Sequence, residues 1–164
     1  MIITKTPYRI SFFGGGSDYP IWYKKFGGSV LSTTIDKYIY ISCRELPPFF
    51  DHKYRIVWSK IENVKTIDEI KHLTVRKLIK YNKIKSGLEI HYDGDLPARS
   101  GMGSSSSFSV GLMRALSNYQ HKDIKGINLA YKAIPFEQKI MNETVGSQDQ
   151  VAASVGGFNR INFL

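Results

Sequence analysis

Three stretches of this 164-residue chain carry residues that can do chemistry as well as pack. The first runs Pro97-Ala98-Arg99-Ser100-Gly101-Met102-Gly103-Ser104-Ser105-Ser106-Ser107 and leads into a helical pattern. Gly101 and Gly103 let the backbone curl and come close to a ligand. Ser104 or Ser105 is a good N-cap, and a helix N-terminus presents unpaired N–H groups with partial positive charge. Together these make an anion cradle suited to phosphates, and the serine hydroxyls can reach a phosphate or a magnesium ion. The stretch is not a Walker A loop, because no Lys-Ser or Lys-Thr follows the last glycine. A flexible Gly/Ser turn before a capped helix accounts for the same residues without a ligand.

The second stretch is Thr6 to Tyr19, with Arg9 in an apolar strand and the run Gly14-Gly15-Gly16-Ser17-Asp18 after it. An unpaired charge in such a strand is expensive, so Arg9 needs a carboxylate or a phosphate. Asp18 is placed like a loop acid that contacts a ligand; a turn-capping aspartate fits it equally. The third stretch holds Glu137 and, twelve positions on, Asp149 between Gln148 and Gln150. A carboxylate flanked by two glutamines before a run of small residues can accept a proton from a hydroxyl or orient it. Helix capping is the alternative.

The elements that must position these residues are legible in outline. Ile2 to Phe13 and Val30 to Cys43 are rich in β-branched and aromatic residues and predict strands. Arg55 to Ser59, Leu88 to Tyr92 and Phe158 to Leu164 predict shorter ones. Thr66 to Lys85 predicts a helix: Thr66 and Glu69 have capping-box spacing, and Ile67, Ile70, Leu73, Leu78 and Tyr81 recur at helical intervals. Phe108, Gly111, Leu112, Ala115 and Leu116 form the buried face of a helix that opens after the glycine loop. Another runs from about Asn128 to Asn142, with a kink or break at Pro135. Strands with helices on one side give an α+β two-layer sandwich.

Composition narrows the function classes. The 23 Lys+Arg outweigh the 14 Asp+Glu, for a net charge of +9. Residues 53–85 hold ten basic and three acidic residues, so +7 belongs to one segment. That distribution fits a solvated strand-and-helix face rather than a nucleic-acid surface. No apolar run reaches the roughly 18–20 residues of a membrane span. The N-terminus does not read as a signal peptide. A single cysteine, Cys43, excludes an internal disulfide and fits a cytoplasmic protein. The four histidines match no zinc spacing.

Taken together, the three stretches resemble the GHMP sugar and isoprenoid kinases. The pattern at 97–105 is similar to that superfamily's phosphate loop, residues 7–18 to its first motif, and the Glu137 and Asp149–Gln150 spacing to its sugar kinases. Gly14-Gly15-Gly16 with residues 146–159 resembles most the D-glycero-D-manno-heptose 7-phosphate kinases, which phosphorylate an anomeric hydroxyl. The resemblance implies a two-layer sandwich of a mixed sheet and helices, ribosomal-protein-like, with a left-handed βαβ crossover. It implies ATP and Mg2+ as cofactor requirements and a small sugar phosphate as substrate, with no nucleic-acid or membrane partner. Pro97, Gly101, Met102, Gly103, Ser104, Ser105 and Ser106 would wrap the nucleotide phosphates. Ser105 and Glu137 would hold magnesium. Asp149 would act as base toward the acceptor hydroxyl, Arg9 would stabilise the transferring phosphoryl group, and Gly16, Ser17 and Asp18 would bind the sugar. Arg99, Lys24 and Lys25 are basic candidates for a distal substrate phosphate. The glutamate of galactokinase's Gly-Glu-His-Thr-Asp is replaced here by glycine, which argues against galactose. A fucokinase-like enzyme is the alternative. The resemblance further implies that residues 1–164 form an N-terminal, nucleotide-binding domain, with a C-terminal GHMP domain or a second copy as partner. A last strand ending at Leu164 reads as a truncation, and the chain alone is expected to turn over little ATP.

Overall fold

The computed structural model describes residues 1–98 and 100–164. Strand β1 (Ile2–Phe13) runs antiparallel to β2 (Gly28–Glu45), whose 18 residues form the spine of a mixed sheet. Strands β3 (Tyr54–Val57), β4 (Ile61–Val64) and β5 (Leu88–Gly94) extend it in the order β1-β2-β5-β3-β4. Strand β6 (Phe158–Phe163) pairs with residues 28–33 of β2, and β5 pairs with 39–45, so the two share one edge of the spine in succession. Among the described residues, only β3 and β5 pair in parallel.

Side chains alternate along β2: Ile39, Ile41 and Cys43 are buried while Tyr40 and Arg44 are exposed. That period of two gives the sheet one core face. Helix α1 (Pro20–Phe26) joins β1 to β2, and α2 (Leu73–Tyr81) precedes β5. Helix α3 (Ser104–Tyr119) is central; it touches β1, β2 and α2 as well as α4 (Ile127–Pro135) and α5 (Gln148–Val155). Gly111 sets how closely α3 meets β1. A Cβ there would lie 2.6 Å from Thr6 Oγ1, and Thr4 Oγ1 donates to Gly111 O at 3.1 Å. The glycine loop is thereby fixed against the strand that carries Arg9.

The helix expected over Thr66 to Lys85 is divided. A short 3₁₀ turn, Ile67–Glu69, comes first, and α2 begins only at Leu73. Thr66 Oγ1 donates to Glu69 Oε1 (2.9 Å) and Lys65 N–H to Glu69 Oε2 (3.1 Å), so the capping pair holds the turn instead of the helix. The break follows from Glu62, a buried carboxylate on β4. It accepts the N–H groups of Lys71 and His72 and the Trp58 indole, which pins the chain before the helix starts. The basic residues of 53–85 are partly committed: Lys80 bonds Asp68, Lys77 the Ile140 carbonyl, and Arg55 sits 3.7 Å from Glu89.

At Pro135, where a kink or break is expected, the helix changes type without a gap. Helix α4 ends there, and residues 136–140 form one wider turn in which Met141 N–H donates to Phe136 O, five residues back, at 2.9 Å. Proline removes a helical donor, and single wide turns of this kind recur at functional sites. Glu137 lies in it. Three elements go beyond the sequence reading: α1, β4 and α5. The small-residue run after Gly146 is a helix, which places Asp149 in a first turn.

Candidate active site

The three stretches meet at one end of the sheet. Arg9 follows a break in the β1–β2 register after Pro7, and its N–H donates to Met102 O at 3.2 Å. Its guanidinium faces α5 and forms a two-pronged pair with Asp149: Nε to Oδ1 at 2.7 Å and Nη2 to Oδ2 at 2.9 Å. Nη1 donates to Gly101 O at 2.9 Å. One side chain thus joins β1, the glycine loop and α5. Such fork-to-fork pairs fix geometry as well as charge. Side-chain exposures of 14% for Arg9 and 24% for Asp149 leave the carboxylate partly open to a ligand.

The glycine loop turns on left-handed backbone at both glycines, φ +75° each. A Cβ on Gly103 would lie 3.2 Å from Asp149 Oδ2 and 3.4 Å from Arg9 Cγ, so glycine gives this pair its room. The expected serine N-cap is not what forms. Gly103 itself is the cap residue, with no side-chain cap bond, and Ser104 is already the first helical residue. The reason is conformational: the chain enters α3 through a left-handed residue, which glycine adopts at least cost. The first-turn N–H groups therefore receive no side-chain cap, and no hydrogen bond among the described residues engages the Ser104 or Ser105 hydroxyl. Ser107 Oγ donates to Pro7 O at 2.9 Å and ties the helix start to β1. Pro97 is exposed before the loop. Arg99 lies outside the described residues.

Glu137 pairs with Ser106 and not with Ser105. Ser106 Oγ donates to its Oε2 at 2.8 Å, and Gln150 Nε2 donates to the same oxygen. Ser105 points to the exposed side of the turn. Glu137 is 1% exposed, and its Oε1 has no partner among the described residues. Burial pushes its carboxyl above the usual glutamate range, with Ser106, Gln150 and Ser109 pulling the other way. An orphaned, buried carboxylate oxygen beside a serine helix start is a donor set that suits magnesium. No cluster of three or more His, Cys, Asp or Glu among the described residues would hold a metal unaided.

Asp18 does not face the cleft. It is 1% exposed; Oδ1 accepts Gly16 N–H and Oδ2 accepts Gln148 N–H, each at 3.1 Å, and its carbonyl accepts Ser147 N–H at 3.0 Å. Both carboxylate oxygens bind backbone, which is the capping alternative. Ser17 Oγ likewise donates to Gly14 O at 2.7 Å and accepts Ser29 N–H at 3.2 Å. Gly16 has open space where a side chain would lie.

An open cleft of about 630 Å³ lies between residues 9–13 of β1, Gly14 and Gly15 after it, residues 100–102 of the loop, and Gln148. Lys24 and Lys25, on α1, do not line it. Sequence reasoning assigned no role to Ser11, Ser100 or Gln148 here, nor to Gln150 behind Glu137. The two glutamines were visible as the flanks of Asp149.

A model of the GHMP kinases N terminal domain matches residues 67–157. A D-glycero-alpha-D-manno-heptose 7-phosphate kinase of Campylobacter jejuni is 31% identical over 99% of this chain and 50% of its own length. A galactokinase of Pyrococcus furiosus is 26% identical over 99% of the chain and 46% of its own length. The crystal structure of a D-glycero-D-manno-heptose 1-phosphate kinase from B. thetaiotaomicron is 25% identical with a TM-score of 0.89, covering 100% of this chain and 56% of that one. A Methanococcus jannaschii mevalonate kinase, 20% identical with a TM-score of 0.73 over 98% of this chain and 53% of its own, shares the fold. The chain spans about half the length of the relatives it matches.

Proposed function

The chain belongs to the family of GHMP kinase N-terminal domains, and on that premise we propose that it is the nucleotide-binding half of an ATP-dependent sugar kinase. Its proposed acceptor is D-glycero-D-manno-heptose 7-phosphate, at the anomeric hydroxyl. The region corresponding to the second half of the longer relatives then completes the site. The observation that carries the reading is the Arg9–Asp149 pair, because it joins all three stretches, and Arg9 and Gln148 beside it line one cleft.

The chain's own residues would act as follows. The first-turn N–H groups of α3 and the hydroxyls of Ser104 and Ser105 bind phosphate oxygens, aided by the helix dipole. Glu137, with Ser106 beside it, would hold magnesium, which when bound neutralises phosphate charge. Asp149 orients the acceptor hydroxyl and takes its proton. Arg9 holds Asp149 in place and offers positive charge to the transferring group. Asp18 and Ser17 shape the sugar side through the backbone of Gly14–Gly16.

The heptose assignment is supported by two relatives whose names carry a heptose phosphate. Galactose is the second reading, supported by the galactokinase relative. A coupled kinase assay of the full gene product tests both, with heptose 7-phosphate, galactose, fucose and mevalonate as acceptors. Preference for the heptose phosphate is expected; preference for a free sugar would overturn the assignment.

A further inference from the structure

We infer that Gln150 is a positioning residue for Glu137. It fixes one carboxylate oxygen so that the other stays available to a divalent cation. The inference rests on the reading of Glu137 as a magnesium ligand given above.

Gln150 is completely buried, at 0% exposure, in the first turn of α5. Its side chain makes one hydrogen bond among the described residues, from Nε2 to Glu137 Oε2. Its own Oε1 has no partner. A buried amide left half-satisfied is unfavourable for folding, and an apolar side chain of the same length would avoid that cost. Packing therefore does not account for a glutamine here, whereas its one bond does.

That bond is specific in direction. Ser106 Oγ and Gln150 Nε2 both donate to Oε2, from α3 and α5 on separate sides, and neither reaches Oε1. Two donors on one oxygen stop the carboxylate from rotating and leave Oε1 as the single uncommitted ligand atom. Partners of this kind, one step behind a metal ligand, orient it and tune its affinity. Gln150 also adjoins Asp149, which faces the other way onto Arg9. Helix α5 thus fixes the proposed base through one residue and the proposed metal ligand through the next.

The test uses Mn2+ as the probe, with free ion followed by electron paramagnetic resonance, on the full gene product in the presence and absence of ADP. The variants are Gln150→Met, Gln150→Leu and Glu137→Gln. Metal-free thermal unfolding is run in parallel. Gln150→Met keeps the length and loses the donor; it should weaken Mn2+ binding by roughly ten- to a hundredfold. Gln150→Leu, if the methionine variant fails to fold, should weaken binding through the same lost donor. Glu137→Gln should abolish binding. Unchanged Mn2+ affinity in a folded Gln150 variant, with Glu137→Gln still defective, overturns this inference alone. Unchanged affinity in Glu137→Gln, or no Mn2+ binding by the parent chain, overturns the metal-ligand reading and this inference with it.

Discussion

Asp18→Asn distinguishes a structural acid from a sugar-binding one. The structure buries the Asp18 carboxylate against two backbone N–H groups, those of Gly16 and Gln148, each at 3.1 Å. Asparagine keeps the shape but offers one oxygen, so its NH2 must face one of these donors. Hydrogen bonds to a charged acceptor are worth about 1.5–3 kcal/mol, and a buried unpaired N–H adds to the loss. We expect a destabilisation of about 2–4 kcal/mol in total, which for a chain of this size lowers Tm by on the order of 5–15 °C. Urea unfolding followed by the fluorescence of Trp22 and Trp58 gives the number. A variant within about 0.5 kcal/mol of the parent, the range of neutral surface changes, would refute the reasoning. It would do so decisively if sugar-phosphate affinity fell at the same time, since Asp18 would then belong to the substrate.

Gly146→Ala should act on the same joint, because its Cβ would lie 1.9 Å from Asp18 Oδ2; a loss of at least about 2 kcal/mol is expected in the same unfolding experiment. Glu137→Gln should stabilise the metal-free chain at neutral pH. Burial raises this carboxyl, so the folded chain binds its proton more tightly than the unfolded chain, and the parent loses stability as pH rises from the ordinary glutamate range through the raised value. The advantage of the variant should therefore grow from pH 4 to pH 7, as read by thermal unfolding across that range, and an advantage that shrinks would contradict it.

Much of the site was legible because its signals are local. Gly101 and Gly103 announce a turn that needs left-handed backbone, and both adopt φ +75°. Arg9 in an apolar strand demanded an anionic partner, and Asp149, 140 positions away, supplies it. What was not legible depends on phase or on distant contacts. Whether Ser105 or Ser106 meets Glu137 turns on where α3 begins, and a shift of one residue rotates a helix by about 100°. Because Gly103 takes the cap position, Ser106 faces inward. Asp18 looked like a ligand acid because nothing near it in sequence shows that the backbone of Gln148 lies over its carboxylate. The split of the Thr66 to Lys85 helix has a similar cause: Glu62, on a strand outside the predicted elements, takes the N–H groups of Lys71 and His72. Pro135 behaved as its chemistry dictates, ending α4 just before Glu137.

The central claim is that Asp149, held by Arg9, which lines the cleft, faces the acceptor of a phosphoryl transfer. The most direct measurement is ATP-dependent phosphorylation of heptose 7-phosphate by the full gene product and its Asp149→Asn form, with ATP affinity measured alongside. The account predicts a loss of roughly 10²–10⁴-fold in kcat, with ATP affinity little changed. An unchanged rate in Asp149→Asn would contradict it.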